Sequence, residues 1–469
     1  MRRALVAAGL AALLAGCQTP KAWELPPPPP PDAPVVQEGR LHRTTLDNGL
    51  TVLVLEDPRL PRVVLGVTFR RGEAMLPAED AGLASFSAEL LQRGAGARDA
   101  LQFAEAVDRL GASAGAAAGW DEVSVSAVGL SRDLDFLMGV LADMVLAPRF
   151  DPAEAERARS ERLAALERAK DDPATLAGWY MGTALYDGHR FGVPTTGTAE
   201  TVVRFDAARA RAFHQQIALP NNAVFSVSGD VEAADIIARV RDRFGDWQPG
   251  EVPPVGPLPP ATTPEARRIL VVDRPDLAQA RIVVAHEGIA RTDDERVAAG
   301  LMNLVVGGSG FSSRLMAALR TEEGLTYGVW SGFSMRRAPG PYLASTFTKV
   351  PTVRRALDLV LAELERGRSD PPDDEEVAWA RTLAVGRFSM GLETSDAVVQ
   401  ALVDLDVHGL PEDSLDTYRA RVRATTAEEI ARSASDLLHP DRAAIVLVGP
   451  AAEIVPQVED LGPVEVVTP

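Results

Sequence analysis

Pro220-Asn221-Asn222-Ala223-Val224-Phe225-Ser226-Val227-Ser228-Gly229 reads as a turn, a short buried strand and a glycine stop. At an offset of 220 residues, Pro440-Asp441-Arg442-Ala443-Ala444-Ile445-Val446-Leu447-Val448-Gly449 repeats it, with the Pro, an Ala and the Gly in register. The same offset lays Leu137, Val140, Leu141 and Ala142 on Leu357, Val360, Leu361 and Ala362. Those residues belong to Leu134 to Leu146 and Val353 to Leu364, whose apolar positions recur three and four apart, as in amphipathic helices. A matched strand and a matched helix at one offset mark an internal duplication.

Working outward, a stretch rich in Pro and Gly over residues 249–265 divides residues 40–248 from 266–469, two pieces of nearly equal size. Each piece opens with a pair of strands: Leu50 to Leu55 and Val63 to Phe69 in the first, Ile269 to Val272 and Ala280 to His286 in the second. Helical patterns follow, among them Ala81 to Leu91, Ala100 to Leu110 and Pro152 to Lys170. The expected fold is α+β, with two homologous α/β-sandwich domains, each a sheet covered by helices. A chain of 469 residues that is 46% hydrophobic and 24% charged can bury two such cores.

The formal charge of −18 argues against a nucleic-acid-binding protein and against charge-driven attachment to anionic membranes. A single cysteine rules out an internal disulfide, a cysteine-based zinc site and a CxxC redox pair. That cysteine, Cys17, follows Arg2-Arg3, an apolar run from Ala4 to Ala15, and Gly16. The run is too short to span a bilayer, which takes about 20 residues. Order and spacing fit a secretory signal over residues 1–16 that ends in a bacterial lipobox. Cys17 is then the expected site of lipidation. Gln18, rather than an Asp that would retain the protein at the inner membrane, points to the periplasmic face of the outer membrane. Residues 17–39 form the tether, with Pro26 to Pro31 a stiff spacer of about 3.1 Å per residue.

Several segments in order resemble the insulinase/pitrilysin superfamily of zinc peptidases. They are Leu46-Asp47-Asn48-Gly49-Leu50-Thr51-Val52, Ala81-Gly82-Leu83-Ala84, Asp171-Asp172-Pro173, Leu219-Pro220-Asn221-Asn222-Ala223, and Phe311-Ser312-Ser313-Arg314-Leu315 with Leu319-Arg320 and Leu325-Thr326-Tyr327-Gly328. The resemblance covers nearly the whole chain after the tether and implies a pair of similar α/β domains. It also implies H-x-x-E-H on a helix, two imidazoles binding zinc and a Glu activating water. Here that helix reads Ser85-Phe86-Ser87-Ala88-Glu89: Ser85 and Glu89 stand at the two His positions and Ala88 at the base. Alignment puts Ala165 at the third ligand, with Glu167 close by. A catalytic zinc needs three protein ligands and an open position, so no metal and no cofactor are expected in this chain. His286-Glu287 is a lone dipeptide with no His following at the spacing of a HExxH motif, His42, His189, His214, His408 and His439 are scattered and read as surface or packing residues, and neither G-x-S-x-G nor a Walker Gly-Lys pairing is present.

The resemblance further implies a division of labour, in which a zinc-free subunit supplies an Arg and a Tyr to peptide bound in a zinc-bearing partner. Those residues are Arg320 and Tyr327, the expected substrate contacts. The competing reading is an Arg paired with Glu322 or Glu323 and a Tyr packed in a core. The expected function is a non-catalytic, zinc-free lipoprotein subunit of a two-subunit periplasmic peptidase. Its partners would be a homologous zinc-bearing subunit, peptide or unfolded protein, and the membrane through its lipid, with no nucleic acid. A peptide-binding or assembly lipoprotein without a peptidase partner is the alternative, with a self-sufficient metallopeptidase behind both. Gly307-Gly308-Ser309-Gly310 reads either as a flexible substrate-handling loop or as a tight turn needing positive φ. The acidic run Asp370 to Glu376 reads as a helix start rather than a metal site.

Overall fold

The computed structural model describes residues 33–186, 188–254 and 264–469. Cys17, the signal segment, the proline spacer and the middle of the 249–265 linker lie outside these residues. Two six-stranded mixed sheets organise the chain from Pro34 onward, which forms one compact unit.

The first sheet contains β1 (Leu41–Thr45), β2 (Thr51–Glu56), β3 (Arg62–Phe69), β4 (Ser113–Ala118), β5 (Val123–Leu130) and β6 (Ala223–Gly229), in the order β1-β2-β6-β3-β5-β4. The second contains β7 (Arg268–Asp273), β8 (Gln279–Glu287), β9 (Val329–Phe333), β10 (Pro341–Lys349), β11 (Ala444–Gly449) and β12 (Val464–Val467), in the order β12-β7-β11-β8-β10-β9. The quoted repeat thus supplies the equivalent inner strands β6 and β11. Every residue of both is buried, as a strand covered on both faces requires. β6 pairs in parallel with β2 and β11 with β7, Glu56 opposite Gly229 and Asp273 opposite Gly449. The outermost strand falls outside the repeat: β1 precedes β2 and runs antiparallel to it, whereas β12 comes from the far end of its half and runs parallel to β7.

One face of each sheet packs on helices of its own half, as expected. The other face does not. The helix α1 (Pro173–Leu185) of the first half buries Leu176, Ala177, Ala184 and Leu185 against Leu270, Val272, Val283, Ala444 and Val446 of the second sheet. The helix α2 (Ser395–His408) of the second half buries Val398, Val399, Val403 and Val407 against Leu53, Leu55 and Val224 of the first. Their starts differ by 222 residues, close to the repeat offset, so equivalent helices are exchanged. Residues 40–248 and 266–469 therefore each build their own sheet, but neither completes its own sandwich. Both exchanged helices have defined starts: Asp172 accepts from the Ala174 and Thr175 N–H groups with Pro173 at the first position, and Thr394 accepts from Ala397.

At the end of α2, His408 is wedged between Asp404 of its own helix, 3.1 Å from Nδ1, and Asp121 of the first half, 3.4 Å from Nε2. The Arg337 N–H donates to Asp121 at 2.9 Å and Arg291 bonds Asp404 at 2.6 Å. Burial pulls the imidazolium down, but the two carboxylates outweigh it and hold His408 at about 9. Because that is above its ordinary 6.5, the contribution to folding is complete below pH 6.5 and is lost as pH rises through 9. The stability measured by urea unfolding is expected to fall by about 1–3 kcal/mol between pH 6.5 and 9.5, and His408→Gln should remove most of that slope. An identical slope in the variant would contradict the assignment.

Candidate functional site

The helix Leu83–Leu91 starts at a crowded corner. Gly82 has φ +94°, and a Cβ there would lie 2.8 Å from the backbone of Gly197, so this turn requires glycine. The N–H groups of Gly82 and Ser85, which have no partner within the helix, donate at 3.1 and 3.0 Å to the carboxylate of Glu73. Glu73 is fully buried and takes a third bond, at 2.6 Å, from the nearly fully buried Arg190. Burial raises its pKa against the pull of Arg190 and the two N–H groups. Arg190 in turn lies 4.9 Å over the ring of Trp120, and Arg336 of the second half lies 4.2 Å from the same ring. The corner that seats this helix is thereby stitched to the other half.

Seven of the nine residues of the helix are buried, leaving Ser85 and Glu89, one turn apart, on its open face. Ala88 lies in the core and offers no proton acceptor. Ser85 Oγ donates at 2.8 Å to the Thr195 carbonyl. Arg162, on the helix Pro152–Ala169, reaches both open positions. Its Nη1 donates to Ser85 Oγ at 2.8 Å and its Nη2 to Glu89 Oε2 at 2.8 Å. Arg93 donates to Glu89 Oε1 at 2.6 Å and to Glu161 at 2.6 Å, with Glu154 3.5 Å away.

These residues do not fit zinc. The only carboxylate among the three motif positions has both oxygens bound by guanidinium groups, and no imidazole is present there. Among the described residues no group of three or more His, Cys, Asp or Glu side chains is arranged to hold a metal ion. The third position also needs correction. Ala165 and Glu167 are exposed, Glu167 pairs with Lys170 at 3.1 Å, and the side chain that reaches the helix is Arg162. Sequence reading passed over Arg162, although it lies one turn before Ala165. The histidines are dispersed. His214 and His286 are buried, bond to the Val145 and Glu287 carbonyls, and are pushed by burial down to about 4. His408 is not a bystander but part of the ionic contact between halves.

In the second half, the chain around Arg320 winds through two π-helical segments, Leu304–Gly308 and Ala317–Glu322. Neither the loop nor the positive-φ reading of the glycines holds for Gly307 and Gly308, which lie inside the first segment. A Cβ at Gly307 would meet Ser331 Oγ at 2.4 Å and one at Gly308 would meet Asn303 Nδ2 at 2.4 Å, so a larger residue at either place would have to displace a neighbouring side chain; of these glycines Gly310 has positive φ, +77°. Arg314 is buried and forms a two-pronged pair with Glu376 at 2.8 and 2.7 Å. Glu376 and Asp373 also close the capping box of the helix Asp374–Gly391, so the acidic run is a helix start, as expected.

Arg320 donates to the Tyr327 carbonyl at 2.6 Å and lies 4.5 Å over the ring of Phe311. Glu323 is engaged by Arg355 instead. Tyr327 is 79% exposed and Phe311 69%, so Tyr327 is not a core residue. The structure brings Arg320 and Tyr327 together on an open surface with Phe311, which sequence reading treated only as part of a motif.

Residues 51–199 match the family described as insulinase (peptidase family M16), and residues 204–383 the peptidase M16 inactive domain. The chain belongs to the insulinase family. Family M16 relatives include an uncharacterized zinc protease of Streptomyces coelicolor, 26% identical over 88% of this chain and 90% of its own length. Another from Bacillus subtilis is 22% identical over 88% and 99%. Among solved structures, an M16 inactive domain from Pseudomonas fluorescens superposes with a TM-score of 0.80 at 26% identity, covering 87% of this chain and 98% of that one. A Helicobacter pylori protease shares the fold at 18% identity with a TM-score of 0.78. Within this family, the present chain contains no H-x-x-E-H, and the helix that resembles the carrier of that motif reads Ser85-Phe86-Ser87-Ala88-Glu89.

Proposed function

We propose that this M16 chain is the zinc-free subunit of a two-subunit periplasmic peptidase, held at the outer membrane through lipidated Cys17. It binds extended peptide and presents Arg320 and Tyr327 to the scissile bond in a homologous zinc-bearing partner. The observation that carries this reading is the contrast between the two candidate sites. The Ser85–Glu89 position is closed by ion pairs, while Tyr327 is exposed and Arg320, half-buried beside it, has no carboxylate contact among the described residues. One Arg320 nitrogen orients its guanidinium against the Tyr327 carbonyl, and the remaining N–H groups suit a peptide carbonyl or a developing oxyanion. The Tyr327 hydroxyl can donate to the same oxygen without carrying charge.

The test is to isolate the lipoprotein from its native membrane and identify what accompanies it. An M16 homologue with an intact H-x-x-E-H should co-purify, and peptidase activity should require both chains. Co-purification of assembly factors without such a homologue would favour a peptide-binding or assembly role instead. The isolated chain is expected to carry no stoichiometric zinc and to leave unfolded peptides intact. One tightly held zinc per chain by elemental analysis would overturn the reading.

A further inference from the structure

The ion pairs around Ser85 and Glu89 do more than fill a gap left by lost ligands. We infer that the guanidinium of Arg162 is the resident cation of this site, fixed between the two positions that face a metal in zinc-bearing relatives and joining the segments that a metal would join. Three observations carry this. Arg162 bridges one helical turn, with one nitrogen on Ser85 and the other on Glu89, both at 2.8 Å. It also donates to the Gly82 carbonyl at 3.2 Å and lies 5.6 Å over the Phe86 ring, so its charge sits against the start of the helix as well as its open face. Ser85 passes the connection on to Thr195, and Arg93 repeats the bridge between Glu89 and Glu161. One planar fork thereby ties together the helix Leu83–Leu91, the helix Pro152–Ala169 and the loop carrying Thr195.

A fixed positive charge at this position opposes a divalent cation. Restoring ligands alone would then not restore a metal site. The test compares two full-length variants for binding of Co²⁺ alone, followed by its visible absorption and by equilibrium dialysis. One is Ser85→His/Glu89→His with Arg162 retained. The other carries Arg162→Ser in addition. The second is expected to bind Co²⁺ at least roughly 100-fold more tightly than the first. Equal affinities, or binding by neither, would overturn the inference.

A second readout needs no metal. Arg162→Lys keeps a charge but not the two-pronged reach. Amide exchange over residues 82–89 and 193–197 is expected to quicken in this variant, with exchange in the second half unchanged. Protection equal to that of the unaltered chain would show that Arg162 does not hold these segments together.

Discussion

Arg320→Ala, in a reconstituted pair with the zinc-bearing subunit, is expected to lower peptide cleavage by roughly 10²–10³, the loss that follows removal of one oxyanion donor. The effect should fall on kcat rather than on KM, because the donor acts on charge that develops during reaction. Tyr327→Phe should lower the rate in the same sense. Tyr327 is 79% exposed, and half-buried Arg320 makes one hydrogen bond and one ring contact among the described residues. Folding and assembly should therefore survive either change, and melting curves should be unaltered. Unchanged cleavage in a well-formed complex would exclude the shared site. A lowered melting temperature with normal specific activity would make Arg320 a structural residue.

The largest effect on stability is expected at Glu73. Its carboxylate has no exposure, and Arg190 opposite retains 4%. Glu73→Ala leaves a buried guanidinium without its charge partner and two helix N–H groups without an acceptor, a loss of about 3–5 kcal/mol. Replacing both partners by leucine should recover much of that, because a buried pair is costly to break but less so to replace. Urea unfolding of the single and double variants decides the point. A single variant within 1 kcal/mol of the unaltered chain would show that this corner does not seat the helix.

The duplication was legible because buried strands and amphipathic helices carry their periods in a dozen residues. Ala223 to Ser228 and Ala443 to Val448 could be placed in equivalent strands from letters alone, and β6 and β11 are those strands. Helix starts were legible at Pro152, where the Asp151 carboxylate and a fixed φ act together, and in the acidic run that opens the helix Asp374–Gly391. The exchange of α1 and α2 was not legible. An apolar helix face specifies burial but not which sheet receives it, and both sheets offer apolar faces. Arg162 was missed for a similar reason, since its partners lie 73 and 77 residues away and nothing local marks it. Gly307 and Gly308 were misread because a glycine demanded by a neighbour's hydroxyl or amide looks, in sequence, like one demanded by φ.

The reciprocal crossing of α1 and α2 has a consequence for how such a chain can change. A half that gave up its helix and received its twin's is the arrangement of a swapped, isologous dimer, here written into one polypeptide. Symmetry of that kind is satisfied internally, since each arm already has its socket. The two halves can differ at sites outside the sockets, as the surroundings of Ser85 in one and of Arg320 in the other do. They must still co-evolve across the two sockets, where a residue of one half is judged by the sheet of the other.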